Sequence, residues 1–289
     1  MWRIARRRIS DETAPVKYAI VDGAVEEGLL DFLNEVNPPH CCLYAEPIQP
    51  DLVALAPYLV EVVPEVEAWL RDKASPWGIY LTSESSMREL QQHFRRYLWV
   101  RIPEQEKPVL MRFYDPRNIW VLAEVLTPRQ LLFFINPVRQ LSTRYGEEYR
   151  EDNFSSVRPA ETMNIRAERP SQLMLSYRQY SQLERKARDN YLDTLSVFIE
   201  ENAEKEGWDD SSKAESSRIL AEDYFSFCQS LNIADDRSVR TMTLILLKKN
   251  IIDLRYIPDD WYELLSNQSY PGHIRVHELA QQELGFIPQ

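Results

Sequence analysis

The sequence predicts an α+β fold, in which an amino-terminal mixed α/β sheet lobe is followed by an all-helical carboxy-terminal lobe. Up to about residue 140, short β-branched and apolar runs alternate with segments whose apolar residues recur every three or four positions. Beyond residue 171, only the helical spacing continues. We therefore expect an α/β lobe over 1–140, an irregular connection over 141–170 and a helical lobe over 171–289.

The first strands and helices are short, and turn residues and prolines separate them. The apolar run at 18–21 predicts a strand that stops at the Asp22-Gly23 turn. The next helix ends before Pro38-Pro39, because proline cannot continue it. Strands are further expected at 41–45, 59–63 and 77–81, and helices at 25–36, 52–56 and 66–70. This alternation predicts a mixed sheet covered by helices.

The block 78–137 carries the clearest local signals. Ser86 and Glu89 match a capping box, which begins a helix. Alternating apolar residues then predict a hairpin with strands at 97–102 and 108–114. The polar stretch between these strands is expected to form the hairpin loop.

Two dipeptides, Asp115-Pro116 and Thr127-Pro128, each predict the start of a further helix. The first residue would cap the helix and proline would occupy its first position. In the carboxy-terminal half, helices are expected at 173–198, 221–228, 239–246, 261–265 and 274–284, with a solvated acidic segment at 200–217.

Charge and glycine content disfavour nucleic-acid and nucleotide binding. The net charge is −11, whereas a nucleic-acid surface needs a basic face. The chain contains neither GxGxxG nor GxxxxGK[ST], the glycine patterns that hold phosphates. A short basic cluster is interpreted as a solvated terminus: Arg3, Arg6, Arg7 and Arg8. We expect no cofactor and no nucleic-acid partner.

Hydropathy and cysteine content point to the cytoplasm. No apolar run reaches the roughly 18 residues that a membrane span requires. No apolar run of signal-peptide type follows the first arginines. The three cysteines, Cys41, Cys42 and Cys228, do not have the spacing of a disulfide framework or of a metal knuckle. We expect a soluble cytoplasmic protein without a membrane partner.

Candidate catalytic residues are few. Ser83, Ser85 and Ser86 do not lie in a GxSxG elbow, and helix capping already explains Ser86. His273 and His277 are four residues apart, so a helix would place both on one face. The general-base glutamate of metalloprotease signatures is not found between them. We predict no catalytic residue and no metal site.

A charged set lies at the centre of the block 78–137: Arg95, Arg96, Arg112, Asp115 and Arg117. One interpretation is a face that binds an anion or a protein partner. The other is that Asp115 caps a helix while the arginines brace the hairpin through bidentate contacts. We favour bracing, because each residue has a local structural explanation.

Aromatic residues are dense in the same block: Trp77, Tyr80, Trp99, Phe113, Trp120, Phe133 and Phe134. Most are expected in the core. The surplus predicts an exposed apolar patch, which in a soluble protein often binds another protein.

Five sequence blocks between Tyr18 and Val138 carry a family resemblance: YAIVDGA, LVALAPYLVEV, GIYLTS, HFRRYLWV and MRFYDPRN. In this succession the chain resembles the bacterial type VI secretion adaptors, also called effector chaperones and long catalogued as a domain of unknown function. The hairpin loop PEQEK and the segment FFINP depart from the usual family pattern. The charged set matches that pattern, but the match gives its members no individual roles.

The resemblance implies a cytoplasmic, non-enzymatic protein. Such adaptors bind a specific toxin effector and deliver it to the carboxy-terminal part of the secretion spike protein, VgrG. We expect apolar segments of the effector to be shielded in a groove between the two lobes. Two alternatives remain open: an immunity protein that blocks a toxin, and a metal-dependent hydrolase that uses His273 and His277.

Overall fold

The computed structural model of the protein describes residues 14–146, 148–158, 172–205, 213–286 and 288. The basic cluster of the first residues and the predicted connection beyond residue 158 lie outside this part of the chain. The chain divides into two compact units, Met1–Lys186 and Ala187–Gln289.

Strands are described only in the first unit: β1 Val16–Asp22, β2 His40–Cys42, β3 Pro57–Glu61, β4 Gly78–Ser83, β5 Trp99–Val100, β6 Val109–Leu110, β7 Gln140–Tyr145 and β8 Glu148–Asp152. Its helices are α1 Leu29–Val36, α2 Pro50–Val53, α3 Pro64–Arg71, α4 Met87–Arg95, α5 Ile119–Val125 and α6 Pro128–Ile135. Six strands form one sheet in the order β2-β3-β1-β4-β7-β8, and β5 pairs with β6 separately.

Every pairing described in the six-stranded sheet is antiparallel, so the expected mixed sheet is not found. β3 and β4 are both antiparallel to β1, so they run in the same direction. Two strands of the same direction need a crossover connection, and α3 provides it. They do not pair with each other because β1 lies between them. The layout of a sheet-and-helix part followed by helices confirms the predicted fold class.

The central strand β1 is buried on both faces, and its alternating side chains feed two separate cores. Ile20 packs in one cluster with Phe94 of α4 and Phe134 of α6. Val21 packs in the other cluster with Leu33 of α1. The sheet is therefore covered by α4, α5 and α6 on one side and by α1 and α3 on the other.

Two predicted helix starts are confirmed by their hydrogen bonds. The Ser86 side chain accepts from the backbone N–H of Glu89, and the Glu89 carboxylate accepts from the N–H of Ser86. Thr127 and Gln130 form the same reciprocal capping box at the start of α6. These boxes satisfy N–H groups that a helix start otherwise leaves without partners.

The predicted helix start at Asp115 is wrong. Helix α5 begins at Ile119 and its capping residue is Asn118. The Asp115 carboxylate accepts instead from the backbone N–H of Arg117, at 2.9 Å. The side-chain oxygen that would cap a helix therefore closes a local turn with a residue two positions further along, and α5 begins only after this turn.

The predicted hairpin is present but much shorter than expected, with two residues in each strand. Phe113 and Tyr114 are both fully buried, although neighbouring residues of a strand point to opposite faces. The chain leaves the strand conformation after Leu110, and both rings can be buried because of this change.

Apart from Gln140, strands β7 and β8 fall in the predicted irregular connection, and they lie at one edge of the large sheet. Leu141 and Thr143 of β7 are buried, whereas all residues of β8 are exposed. An edge strand with two solvated faces has no apolar alternation, so its sequence does not indicate a strand.

The helices of the carboxy-terminal part are α7 Tyr177–Lys205, α8 Lys213–Ser230, α9 Asp236–Lys248, α10 Asp259–Ser266 and α11 Gly272–Leu284, with a short 3₁₀ helix at Leu254–Tyr256. The division between the two units falls within α7. The core of the second unit centres on α9, whose buried apolar residues are Val239, Met242, Ile245, Leu246 and Leu247. Among the described helices, none has the length and apolar character needed to cross a membrane.

A buried arginine links three parts of this helical unit. One terminal nitrogen of Arg275, on α11, donates to the carbonyl of Leu231 at 2.8 Å, and the other donates to the carbonyl of Leu265 at the end of α10. Carbonyls at helix ends are acceptors without helical partners, so the guanidinium satisfies them while its own charge is solvated by dipoles.

We predict that Gly78→Ala strongly destabilises the first unit. An added Cβ would lie 1.9 Å from the carbonyl oxygen of Ile20, on the central strand. We expect the free energy of unfolding to fall by at least about 2 kcal/mol, measured by urea denaturation. The control is Gly146→Ala, whose positive φ is strained but whose Cβ would meet open space, so that about 1 kcal/mol is expected. Equal losses for the two variants would contradict the steric explanation.

Candidate partner-binding surface

Arg95, the first member of the charged set, ties α4 to the chain that follows β2. Its guanidinium donates to the carbonyls of Cys42 at 3.2 Å, Leu43 at 3.2 Å and Tyr44 at 2.8 Å. A planar fork of donors suits such a row of backbone oxygens. Arg95 therefore fixes the end of β2 and the two residues that follow it against α4.

Arg112 forms an ion pair with Asp22, at the end of the central strand. Asp22 is buried and also accepts from the backbone N–H of Ala24 at 3.0 Å. Burial raises the pKa of the Asp22 carboxyl above its ordinary value, although the Arg112 guanidinium acts in the opposite direction. The ion pair therefore compensates only in part for the loss of hydration.

Asp115 and Arg117 form a second ion pair inside one turn. The Arg117 side chain donates through Nε at 3.0 Å and through a terminal nitrogen at 2.7 Å to the two carboxylate oxygens of Asp115. This bidentate contact raises the pKa of Arg117. The Asp115 charge also contributes to the raised pKa of Asp22, so the two pairs form one electrostatic cluster.

Arg96, the remaining member of the set, has a different environment. It caps the carboxy-terminal end of α4 through its backbone and is exposed. Its side chain makes no hydrogen bond or ion pair with a described residue. The contacts of the other four are those of structural braces, and a role of the set in partner binding stays a prediction.

An exposed apolar surface lies next to this set, on the small β5–β6 hairpin. Trp99 and Leu110 are directly opposite each other across the hairpin. Met174 lies beside Arg101 through a parallel bridge, and α7 begins three residues later at Tyr177. The exposed fractions are 48% for Trp99, 40% for Leu110, 65% for Met174 and 68% for Tyr177. We call these four residues the hairpin surface.

The backbone holds the hairpin surface in place. The N–H of Arg101 donates to Leu173 at 3.0 Å, and the N–H of Leu175 donates to Arg101 at 2.9 Å. Leu173 and Leu175 are buried on the inner face, so Met174 between them points outward. The Gln130 side chain, on α6, further donates to the carbonyl of Met174 at 2.9 Å. These hydrogen bonds fix the surface on the β5–β6 hairpin and on the segment 172–175 that is bridged to it.

Part of this surface was predictable from the sequence. Of the aromatic residues that it concentrates in the block 78–137, Trp99 is exposed, whereas the others are buried: Trp77, Tyr80, Phe113, Trp120, Phe133 and Phe134. Met174 and Tyr177 were missed, because residues 172–175 join the hairpin from more than sixty positions further along the chain. The short apolar run Leu173-Met174-Leu175 is the local signal that could have indicated a strand there.

The candidate catalytic side chains have structural contacts. Ser83 Oγ donates to the Pro137 carbonyl, and Ser86 caps α4. The rings of His273 and His277 lie 6.2 Å apart, centre to centre. In the described ranges, no group of three or more His, Cys, Asp or Glu side chains could hold a metal ion.

The cysteines are free thiols. Burial raises the pKa of Cys41 to about 11 and that of Cys228 to about 12. Thiols with such pKa values are protonated at neutral pH and are therefore weak nucleophiles.

Comparison with known proteins gives one match. Residues 17–132 match the model of a family described as a domain of unknown function, DUF4123. This region runs from β1 into α6 and contains the whole charged set, together with Trp99 and Leu110. It covers less than half of the chain. No curated protein and no solved structure was found to match.

We predict that Arg95→Met destabilises the protein by about 2–3 kcal/mol, because three carbonyls lose a charged donor while the aliphatic stem is kept. Urea denaturation measures the change. The matched control is Arg96→Met, one residue along and exposed, for which a change within about 0.5 kcal/mol is expected. Similar losses for both variants would contradict the bracing role of Arg95.

We predict that Asp22 makes the protein less stable as the pH rises through the acidic range. Its pKa is raised on folding, so the folded protein holds this proton at pH values where the unfolded chain has lost it. The contribution is most favourable below the ordinary pKa of aspartate. It decreases as the pH rises from that value to the raised folded value, by at most about 1.4 kcal/mol per pH unit.

The measurement is the unfolding free energy of the wild type minus that of Asp22→Asn at a series of acidic pH values. The difference should become less favourable to the wild type as the pH rises and should then stay constant. A difference that increases with pH would mean that Arg112 outweighs burial.

Proposed function

We propose that the protein is a cytoplasmic adaptor of type VI secretion, which binds a specific toxin effector and loads it onto the VgrG spike protein. The observation that carries the proposal is the match of residues 17–132 to a family of unknown function, since this region contains all five sequence blocks that resemble the adaptors. In this proposal the protein is not an enzyme, and its chemistry is limited to binding polypeptides.

The composition of the hairpin surface favours the proposal that the protein binds another protein. Trp and Tyr are enriched among the residues that dominate binding energy at protein interfaces, and Met adapts to irregular partners. Trp99 and Leu110 are direct neighbours across the hairpin, and adjoining exposed apolar residues often mark a protein-binding surface. We infer that an apolar segment of the effector covers Trp99 and its neighbours.

The charged set has a supporting part in this proposal. Arg95 fixes the end of β2, and Arg112, Asp115 and Arg117 fix the chain that follows β6, so we expect changes in them to act on the surface through the fold. Arg96 is the exception, because it is exposed close to the hairpin in sequence and could contact a partner directly through its guanidinium.

The experiment is co-purification of the tagged protein with the toxin encoded beside it and with the VgrG spike protein. Capture of both supports the adaptor function, and capture of neither contradicts it. Growth of cells that express the toxin separates the immunity alternative, since an immunity protein restores growth while an adaptor leaves toxicity intact and changes secretion. Stoichiometric zinc in the purified protein would favour the hydrolase alternative.

We predict that Trp99→Ser weakens effector binding at least tenfold, a loss of about 1.4 kcal/mol, without unfolding the protein. Isothermal titration with purified effector measures the affinity, and circular dichroism checks the fold. The control is Tyr149→Ser, an exposed aromatic residue on the edge strand β8, which should leave the affinity unchanged. If both variants bind the effector as the wild type does, the hairpin surface is not the interface.

A further inference from the structure

An open pocket of about 730 Å³ lies within the helical unit, away from the region matched by the family model. It is lined by residues 249–253 and Tyr256, from the chain that follows α9, by Pro258, Asp260 and Trp261 at the start of α10, and by Glu283 near the end of α11. The three elements belong to one compact unit. Neither the hairpin surface nor the charged set takes part in it.

The floor of the pocket is fixed by internal contacts. Glu283 accepts from the indole N–H of Trp261 at 3.0 Å and from the Lys249 ammonium at 2.6 Å. Trp261 is buried, so the glutamate is anchored on the core. A preorganised floor lowers the cost of ordering when a ligand binds.

The charges of the pocket favour a cation. Asp253 is already paired with Arg255, within one turn of chain. Asp260 is exposed and makes no hydrogen bond or ion pair with a described residue, so its carboxylate is free to accept one. Glu283 is paired with Lys249 and Asp253 with Arg255, so the uncompensated charge among the described lining residues is that of Asp260, which favours a cationic ligand over an anionic one.

The rim is apolar and aromatic. The Tyr256 ring is 76% exposed, and the Ile252 side chain is 53% exposed. A ring beside a free carboxylate suits a ligand that has a hydrocarbon stem and a cationic end. Arginine fits best among such side chains, because its planar guanidinium stacks on aromatic rings and binds a carboxylate with two parallel hydrogen bonds.

We propose that this pocket binds an arginine side chain that a partner polypeptide presents. The guanidinium pairs with Asp260 and stacks on Tyr256, and the stem lies against Ile252 and Pro258. Because the pocket is wide open, a free small molecule would bury little of its surface there, whereas a side chain tethered to a polypeptide gains further contacts around the rim. The inference does not depend on the proposed adaptor function.

The test is an NMR titration of the full-length protein with a capped glycine peptide that carries a single arginine at its centre. The indole N–H of Trp261 reports on the floor, because it donates to Glu283. We expect saturable shifts of this signal and of backbone amides at 249–261. The citrulline derivative has the same shape without the charge, and it should bind at least tenfold more weakly.

Two pairs of variants locate the site. Asp260→Asn should weaken arginine binding about tenfold, whereas Asp259→Asn, its exposed neighbour that does not line the pocket, should change it less than twofold. Tyr256→Ala should weaken binding, whereas Tyr262→Ala, also exposed and outside the pocket, should not. Equal binding of arginine and citrulline, or equal effects within either pair, would overturn the proposal.

Discussion

The first unit depends on the burial of one strand. β1 lies between β3 and β4 and is covered by helices on both faces, so its side chains alternate between two cores. At its end, the buried carboxylate of Asp22 needs a cation, and Arg112 provides it from the chain that follows the hairpin. The position of that hairpin is therefore set by the electrostatic requirement of the central strand.

Most arginines of the charged set bind backbone carbonyls or carboxylates within the protein. Arg95 satisfies three carbonyls, and Arg117 neutralises Asp115 in its own turn. Hydrophobic side chains of the neighbouring hairpin, Trp99 and Leu110, are exposed to solvent. In the helical unit the division of roles is similar, since Arg275 serves helix ends in the interior while Asp260 and Tyr256 stay exposed.

The sequence was sufficient to predict the fold class and two helix starts, at Ser86 and Thr127. Each of these residues forms a reciprocal capping box with the residue three positions further along. Sequence reasoning failed where a side chain had a competing local partner, where a strand carried no apolar pattern, and where a distant segment completed a surface. Asp115 has the side chain of a helix cap but binds Arg117, and β8 has no apolar alternation because both its faces are solvated. The hairpin surface was foreseen only through Trp99, since Met174 reaches it by a long-range bridge that no local pattern encodes.

The last strand of the sheet has a consequence for association. β8 has the sequence EYRED, and its outer edge pairs with no other strand in the described part of the chain. If two copies met there in the antiparallel pairing centred on Arg150, that residue would face its own duplicate, and Glu148 would face Asp152. Like charges in opposing positions repel, so this border resists sheet extension from molecule to molecule and helps to keep a protein with exposed apolar residues from polymerising.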